Sequence, residues 1–316
     1  SEDDDDESDD DSDSESEAEE SSEEEEFDDI ARERPPISAF SVSEALNKSG
    51  LQRAKKAPVM TKGGKKAFQM EDFHFCEYPW KNDNWGLFCV MDGHSGKDCA
   101  EKASQLIPHY LAKHLEGVDI WNVDPATGGV DLTDVLTKTF LDTDNDLKEF
   151  EYEGATCTVV FIYKTASGHR YVQSANVGDS TSILVRKNKA MALSVDHHCN
   201  YPVEVERLAK LGIEVTEGQT RLNGLAVSRA LGDHFPKSTD CGIVAEPSVC
   251  PVYELKGSDS FIVVASDGLW DVISFQTAYD IIKDLDSAND MSEALLKTAT
   301  RSSKCTDNVT TVVVQL

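Results

Sequence analysis

Four aspartates stand at the ends of short apolar runs, and their placement limits what this chain can fold into more than any other feature. Asp92 follows Leu87-Phe-Cys-Val-Met91, Asp179 follows Ala175-Asn-Val-Gly178, Asp267 follows Ile262-Val-Val-Ala-Ser266, and Asp307 precedes Asn308-Val-Thr-Thr-Val-Val-Val314. Runs of this kind, β-branched or aromatic and bounded by Gly, Asp or Asn, have strand character. A sheet brings strand ends together, so acids far apart in sequence can meet on one rim. Converging carboxylates raise one another's pKa unless a cation compensates, so the pattern predicts bound metal. Oxygen donors without a Cys/His cage favour a hard ion, Mg2+ or Mn2+, over Zn2+. Taken singly, an aspartate at a strand end is an ordinary turn or N-cap residue. The combination of four points to a metal-bearing rim.

Other segments supply the scaffold for such a rim. Strand character extends over Trp85 to Met91, Cys157 to Tyr163, Tyr171 to Val177, Thr181 to Val185, Phe261 to Ala265 and Val309 to Val314. Between Lys97 and Leu115 the apolar residues follow a helical stripe, with a kink expected at Pro108. Further helices are expected around Leu132 to Leu147, from Pro202 to a stop at Gly212, over Phe275 to Leu285 and over Ser292 to Thr300. Successive strands are close in sequence, which favours hairpins and antiparallel pairing over βαβ crossovers. The expected class is α+β.

Charge divides the chain. Residues 1–30 hold 20 acids and no Lys or Arg, leaving 39 of the 59 acids against 30 bases in the rest. Burial cannot offset the entropy of ordering such a segment, so it reads as an acidic disordered tail, able to attract basic proteins. Residues 31–66 read as a linker and N-terminal extension, and 67–316 as the folded domain. A net charge of −29 argues against nucleic-acid binding, which needs clustered Lys and Arg. The longest apolar stretches are far below the roughly 20 residues needed to cross a bilayer, so no membrane span is expected. Eight dispersed cysteines without a CxxC pair suit reduced thiols, hence a cytoplasmic or nuclear location. A monomer is expected.

Within the rim, Gly93 follows Asp92 and lets a backbone carbonyl approach a cation with little hindrance. His94 then projects near the same place, with an intrinsic pKa suited to protonating a leaving oxygen. Two cations bridged by one Asp can activate a shared water for in-line attack on phosphorus.

In their order along the chain these residues resemble the metal-dependent protein serine/threonine phosphatases of type 2C. The likeness runs from about Met70 to Val314. It rests on Met70-Glu-Asp72, Phe88-Cys-Val-Met-Asp-Gly-His-Ser-Gly96, Gly154-Ala-Thr156, Ala175-Asn-Val-Gly-Asp-Ser180, Leu225-Ala-Val-Ser-Arg-Ala-Leu-Gly-Asp233, Ala265-Ser-Asp-Gly-Leu-Trp-Asp-Val272 and Asp307-Asn308, with shorter matches at Asp196-His197, Glu206-Arg207 and Ala245-Glu-Pro247. The resemblance implies a central sandwich of two antiparallel β-sheets flanked by helices, with two Mg2+ or Mn2+ ions in a cleft at one end. It implies hydrolysis of phosphoserine and phosphothreonine in phosphoprotein substrates. Asp92 would bridge both ions, Gly93 would give a carbonyl to one, and Asp267 and Asp307 would ligate the other. Glu71 and Asp72 would act through waters, Asp179 with Asp271 would hold a weaker third ion, and His94 would be the general acid. The segment from about Asp196 to Thr220 would form a flap beside the cleft.

One departure bears on substrate binding. Family members commonly carry an Arg five residues before the Asp of Met-Glu-Asp, where it grips the phosphate, and here that position is Ala67. The neighbouring Lys66, or Lys65 beside it, is the expected replacement, although a lysine cannot reproduce the bidentate fork. Ala67 is also the best support for a different class of function, a weak or inactive pseudophosphatase that binds phosphoproteins or serves as a scaffold.

Overall fold

The computed structural model describes residues 34–56, 58–60 and 65–316. The acidic segment 1–30 lies outside the described residues. Two antiparallel sheets face each other. The smaller has the strand order Ala39–Ala45, Val309–Gln315, Asp259–Ala265, Thr181–Arg186, Lys189–Ala192. The larger runs Leu231–Gly232, Gly154–Ala155, Trp85–His94, Cys157–Lys164, Arg170–Val177, Ser248–Val249. Two further strands join it, Asp72–Glu77 beside Trp85–His94 and Tyr253–Leu255 beside Arg170–Val177. The expected α+β class and sheet sandwich are present.

The apolar runs are nearly continuous because each sheet is covered on both faces, and the period-2 alternation sorts the side chains between two cores. Along Trp85–His94, Phe88 and Val90 point between the sheets, where they meet Val160, Ile162, Leu184, Ile262, Val264, Val312 and Val314. Leu87, Cys89 and Met91 point outward and pack with Ala103, Ile107 and Leu111 of helix Asp98–Leu115 and Leu136 and Phe140 of helix Thr133–Asn145. On the other side, Ile183, Val263 and Val313 pack with Ala278 and Ile282 of helix Phe275–Ile282 and Met291, Leu295 and Ala299 of helix Ala288–Arg301. Helix Asp98–Leu115 continues through Pro108, which is buried. Helix Ala288–Arg301 starts earlier than the apolar pattern indicates, because Ser287 caps it by accepting from the Asp290 N–H at 3.0 Å.

The segment read as a linker is not one throughout. Residues Ala39–Ala45 form the edge strand of the smaller sheet, paired in register from Ala39↔Gln315 to Ala45↔Val309, and Ile37 is buried between the sheets. The folded unit therefore extends upstream of residue 67. Sequence reading missed the strand because its alternation, Phe40 and Val42 among serines, is short and follows two prolines. Among the described residues no helix is long and apolar enough to cross a membrane. All eight cysteines are free thiols.

A chain starting at residue 46 loses this strand and Ile37 and bares the edge of Val309–Gln315. The expected cost is at least about 3 kcal/mol, read as a lower urea midpoint than that of a chain starting at residue 34. Equal midpoints would show that the strand is dispensable.

Candidate active site

Strand parity builds the site. Asp92 continues the inward set Phe88 and Val90, so it points into the inter-sheet space where the sheets end. Asp72 is its direct partner across the ladder, which places two carboxylates at one register position of the same face. Ser266 and Thr310 continue the inward sets Ile262, Val264 and Val312, Val314 of the opposite sheet. Their hydroxyls both donate to Asp72 Oδ2, each at 2.8 Å. Asp72 is 2% exposed, and its Oδ1 is buried without a hydrogen-bond partner.

Asp267 opens the short helix Asp267–Trp270, and its Oδ1 is likewise buried and unpartnered. The turn can form only because residue 268 is glycine: a Cβ there would lie 1.9 Å from the Asn308 carbonyl oxygen. That close approach carries Asp267 up to the start of strand Val309–Gln315, next to Asp307. Asn308 ties in a third strand, because its Oδ1 accepts from the Glu71 N–H at 2.9 Å.

Lys56 supplies a cation to this rim. Its Nζ donates to Asp307 Oδ1 and Oδ2 at 2.7 and 2.5 Å. Burial pulls the ammonium down, but Asp307, with Asp92 and Glu71 beyond it, outweighs burial and leaves the Lys56 pKa above its ordinary value. The sequence offered no signal for Lys56, because a lysine in a mixed segment is normally solvated.

Desolvation in the cleft raises the carboxylates, and their mutual repulsion adds to it. Asp92 stands well above the usual carboxylate range through desolvation and then Asp72, Asp267, Asp307 and Asp179. Asp267 is raised well above it through desolvation, Asp179, Asp307, Asp271 and Asp72. Burial pushes Asp72 up to about 6 against the lowering effect of Ser266 and Thr310. Asp179 is also pushed up to about 6 by desolvation, opposed by the His198 imidazole, whose Nε2 lies 3.5 Å from its Oδ2. Asp271 and Glu71 are raised chiefly by desolvation.

These groups line a cavity of about 550 Å3 that takes in Glu71, Asp92, Gly93, His94, Asp179, Asp267 and Asp307. Asp72 is buried next to Asp92, and Asp271 lines a smaller adjoining cavity with His198, Tyr201 and Arg221. Lys66 is placed elsewhere. It is exposed on the two-stranded ribbon Val59–Met60/Lys66–Ala67 and is not among the described residues lining the cavity. Among the described residues, the lysine and arginine side chains that line it are Lys56 and Arg221. Arg221 belongs to the segment following the flap helix Pro202–Lys210, whose Glu204 anchors it to the body. The buried Glu204 carboxylate accepts from Arg207, Ser228 and Arg229, at 2.6, 2.7 and 2.6 Å for the shortest contacts. Burial opposes ionisation of Glu204, but these donors prevail and hold its pKa down at about 2.

Whether the rim suits a divalent cation can be judged from its donors. Among the described residues no group of three or more His, Cys, Asp or Glu side chains forms a ready-made cage. The donor chemistry nevertheless fits a hard ion: all-oxygen ligands, two buried carboxylate oxygens without partners, and carboxylates pushed toward neutrality by desolvation and then by each other's charge.

The fold is shared with solved structures. The crystal structure of a serine-threonine phosphatase 2C from Toxoplasma gondii matches with a TM-score of 0.67, covering 88% of this chain and 95% of that one at 20% identity. At the sequence level the family model Protein phosphatase 2C matches residues 57–309. The chain belongs to the protein phosphatase 2C family. It is 43% identical over 284 residues to a probable protein phosphatase of Dictyostelium discoideum, covering 89% of this chain and 27% of that protein. It is 32% identical to protein phosphatase 2C homolog 1 of Saccharomyces cerevisiae, covering 78% of this chain and 88% of that protein. The chain spans about a quarter to two fifths of the length of the first relatives it matches.

The raised carboxylates carry a pH signature. A group whose pKa is higher folded than unfolded contributes stability that is fully present below the unfolded value and is lost as pH rises through the folded value. With Asp72 and Asp179 at about 6 folded, the chain in a chelator is expected to gain stability as pH falls from about 7 toward about 4. Urea midpoints across that range test this, and a midpoint that falls throughout would contradict the raised pKa values of Asp72 and Asp179.

Proposed function

We propose that this chain hydrolyses phosphoserine and phosphothreonine in proteins with the aid of two divalent cations, Mg2+ or Mn2+. The observation that carries the reading is the convergence of Asp92, Asp267 and Asp307 on one cavity, with one oxygen each of Asp267 and the neighbouring Asp72 buried and without a partner. Asp92, the Gly93 carbonyl, Asp267 and Asp307 would hold the two ions, Glu71 and Asp72 would reach them through waters, and Asp179 with Asp271 would take a weaker third. Such ions supply positive charge that lowers the pKa of a water and balances the phosphoryl oxygens.

The chain's own residues do the rest. Asp72, fixed by Ser266 and Thr310, stands opposite Asp92 in the ladder and adds its charge to the rim. Arg221, lining the cavity from the flap side, is positioned to bind the substrate phosphate where the usual arginine is replaced by Ala67. Lys66 is not among the described lining residues, although Val59 of its ribbon is. His94 lines the same cavity and gives a proton to the leaving serine or threonine oxygen. The second reading, a pseudophosphatase that only holds phosphoproteins, is favoured by Ala67 alone.

Hydrolysis of a phosphothreonine peptide decides between the two. Activity is expected only with added Mn2+ or Mg2+, and Asp92→Ala or Asp267→Ala should lower kcat by about a thousandfold or more. Folded protein that binds Mn2+ yet hydrolyses nothing would favour the pseudophosphatase. For the phosphate grip, Arg221→Ala should raise KM about tenfold or more while Lys66→Ala leaves it unchanged. The reverse result would return the role to Lys66.

A further inference from the structure

His94 has a dedicated partner that the catalytic reading does not use. Its Nε2 lies 2.7 Å from Asp233 Oδ2. The two-residue strand Gly154–Ala155 makes this contact possible by pairing on both sides, with Gly93↔Ala155 and His94↔Gly154 on one edge and Leu231↔Ala155 and Gly232↔Gly154 on the other. The chain leaving Gly232 thus places Asp233 beside His94. A side chain at position 154 would block the contact, because a Cβ there would lie 2.1 Å from Asp233 Oδ2 and 2.6 Å from His94 Nε2.

A purely structural role for Asp233 does not account for its geometry. It precedes helix His234–Lys237 but makes no capping bond with its side chain. It holds φ at +51°, a left-handed conformation that is unfavourable for a residue other than glycine and is found where surrounding structure enforces it. Its N–H donates to the Glu153 carbonyl at 2.8 Å, which locks that conformation. The side chain is 1% exposed, its Oδ1 is buried without a partner, and among the described residues its hydrogen-bonding partner is His94.

We propose that Asp233 is the positioning residue for His94 in phosphoester cleavage, an inference that rests on His94 being the proton donor. A carboxylate accepts, so Nε2 carries hydrogen and Nδ1 is the ring nitrogen that Asp233 leaves unengaged. A buried carboxylate on the far nitrogen of an imidazole fixes its tautomer and orientation. As the bond from the water oxygen to phosphorus forms and the bond from phosphorus to the serine or threonine oxygen breaks, that leaving oxygen takes the Nδ1 proton. The ring is left neutral, with the hydrogen on Nε2 still donated to Asp233. The water's released proton goes to solvent, from which Nδ1 is recharged.

The test uses the full chain with saturating Mn2+ and a series of aryl phosphates ending in a phosphothreonine peptide. Asp233→Asn suits the left-handed backbone and is expected to lower kcat about 10- to 100-fold on the poorest leaving groups and less than about threefold on 4-nitrophenyl phosphate, with KM little changed. Gly154→Ala, which keeps both side chains but separates them, should give the same pattern. In a His94→Ala background Asp233→Asn should add nothing. Equal slowing of all substrates, or a full additional loss without His94, would overturn the inference. Long-range 1H–15N spectra of the His94 ring read the pairing independently of turnover. An Nε2 hydrogen signal that is present in the parent and lost in Asp233→Asn supports it, and identical ring spectra overturn it. A parent chain that shows the signal but hydrolyses nothing would overturn the phosphatase reading, not the pairing.

Discussion

Carboxylate repulsion in a desolvated cleft is the constraint around which this structure is organised. Asp92 and Asp72 oppose one another in a single ladder pair, with Asp267, Asp307 and Asp179 close enough to raise them further. A cluster like this is tolerated only where something offsets its charge. Hydroxyls of Ser266 and Thr310 fix one oxygen of Asp72, the Lys56 ammonium binds Asp307, and two oxygens remain without any partner. The strain is local and electrostatic, while the rest of the protein is conventionally packed.

The sheets carry that strain through a gradient along the inter-sheet space. Far from the rim the inward positions are Val, Ile, Leu and Phe. Toward it the same alternation delivers Thr156, Thr158, Ser174, Asn176, Ser180 and Ser182, all buried. These satisfy one another, with Thr156 to Ser180 at 2.7 Å and Ser174 to Ser182 at 2.9 Å, so polarity rises without unpaired groups until the carboxylates are reached. An apolar interior running up to Asp92 would make ionisation there still harder. Pairing of a two-residue strand then extends the rim sideways, which brings His94 and Asp233 together at its margin.

Flap and body meet through charge as well. Glu204 ties the flap helix to Arg229, on the segment that leads back to Asp233. Glu206, the residue singled out by motif, is exposed and pairs with Lys210 instead. The motif marks the right helix, but the buried partner is two residues upstream.

Much of this was legible in the residues. Period-2 runs ending in aspartate determine strands, their faces and the rim, because alternation and turn chemistry act locally. Six strands stand where the pattern places them, the helices do so apart from the earlier start of Ala288–Arg301, and seven of the proposed site residues share one cavity. Tertiary structure decided what local pattern cannot express. Ala39–Ala45 becomes a strand only because Val309–Gln315 offers an unpaired edge. Lys56 and Arg221 reach the cavity and Lys66 does not, because loop paths depend on contacts made far away in sequence. The pairing of Asp233 with His94, 139 positions apart, requires a glycine on a third strand to leave room between them. Alternation along a strand is a property of the backbone itself, whereas the approach of two side chains across a neighbouring strand exists only once the sheet has closed.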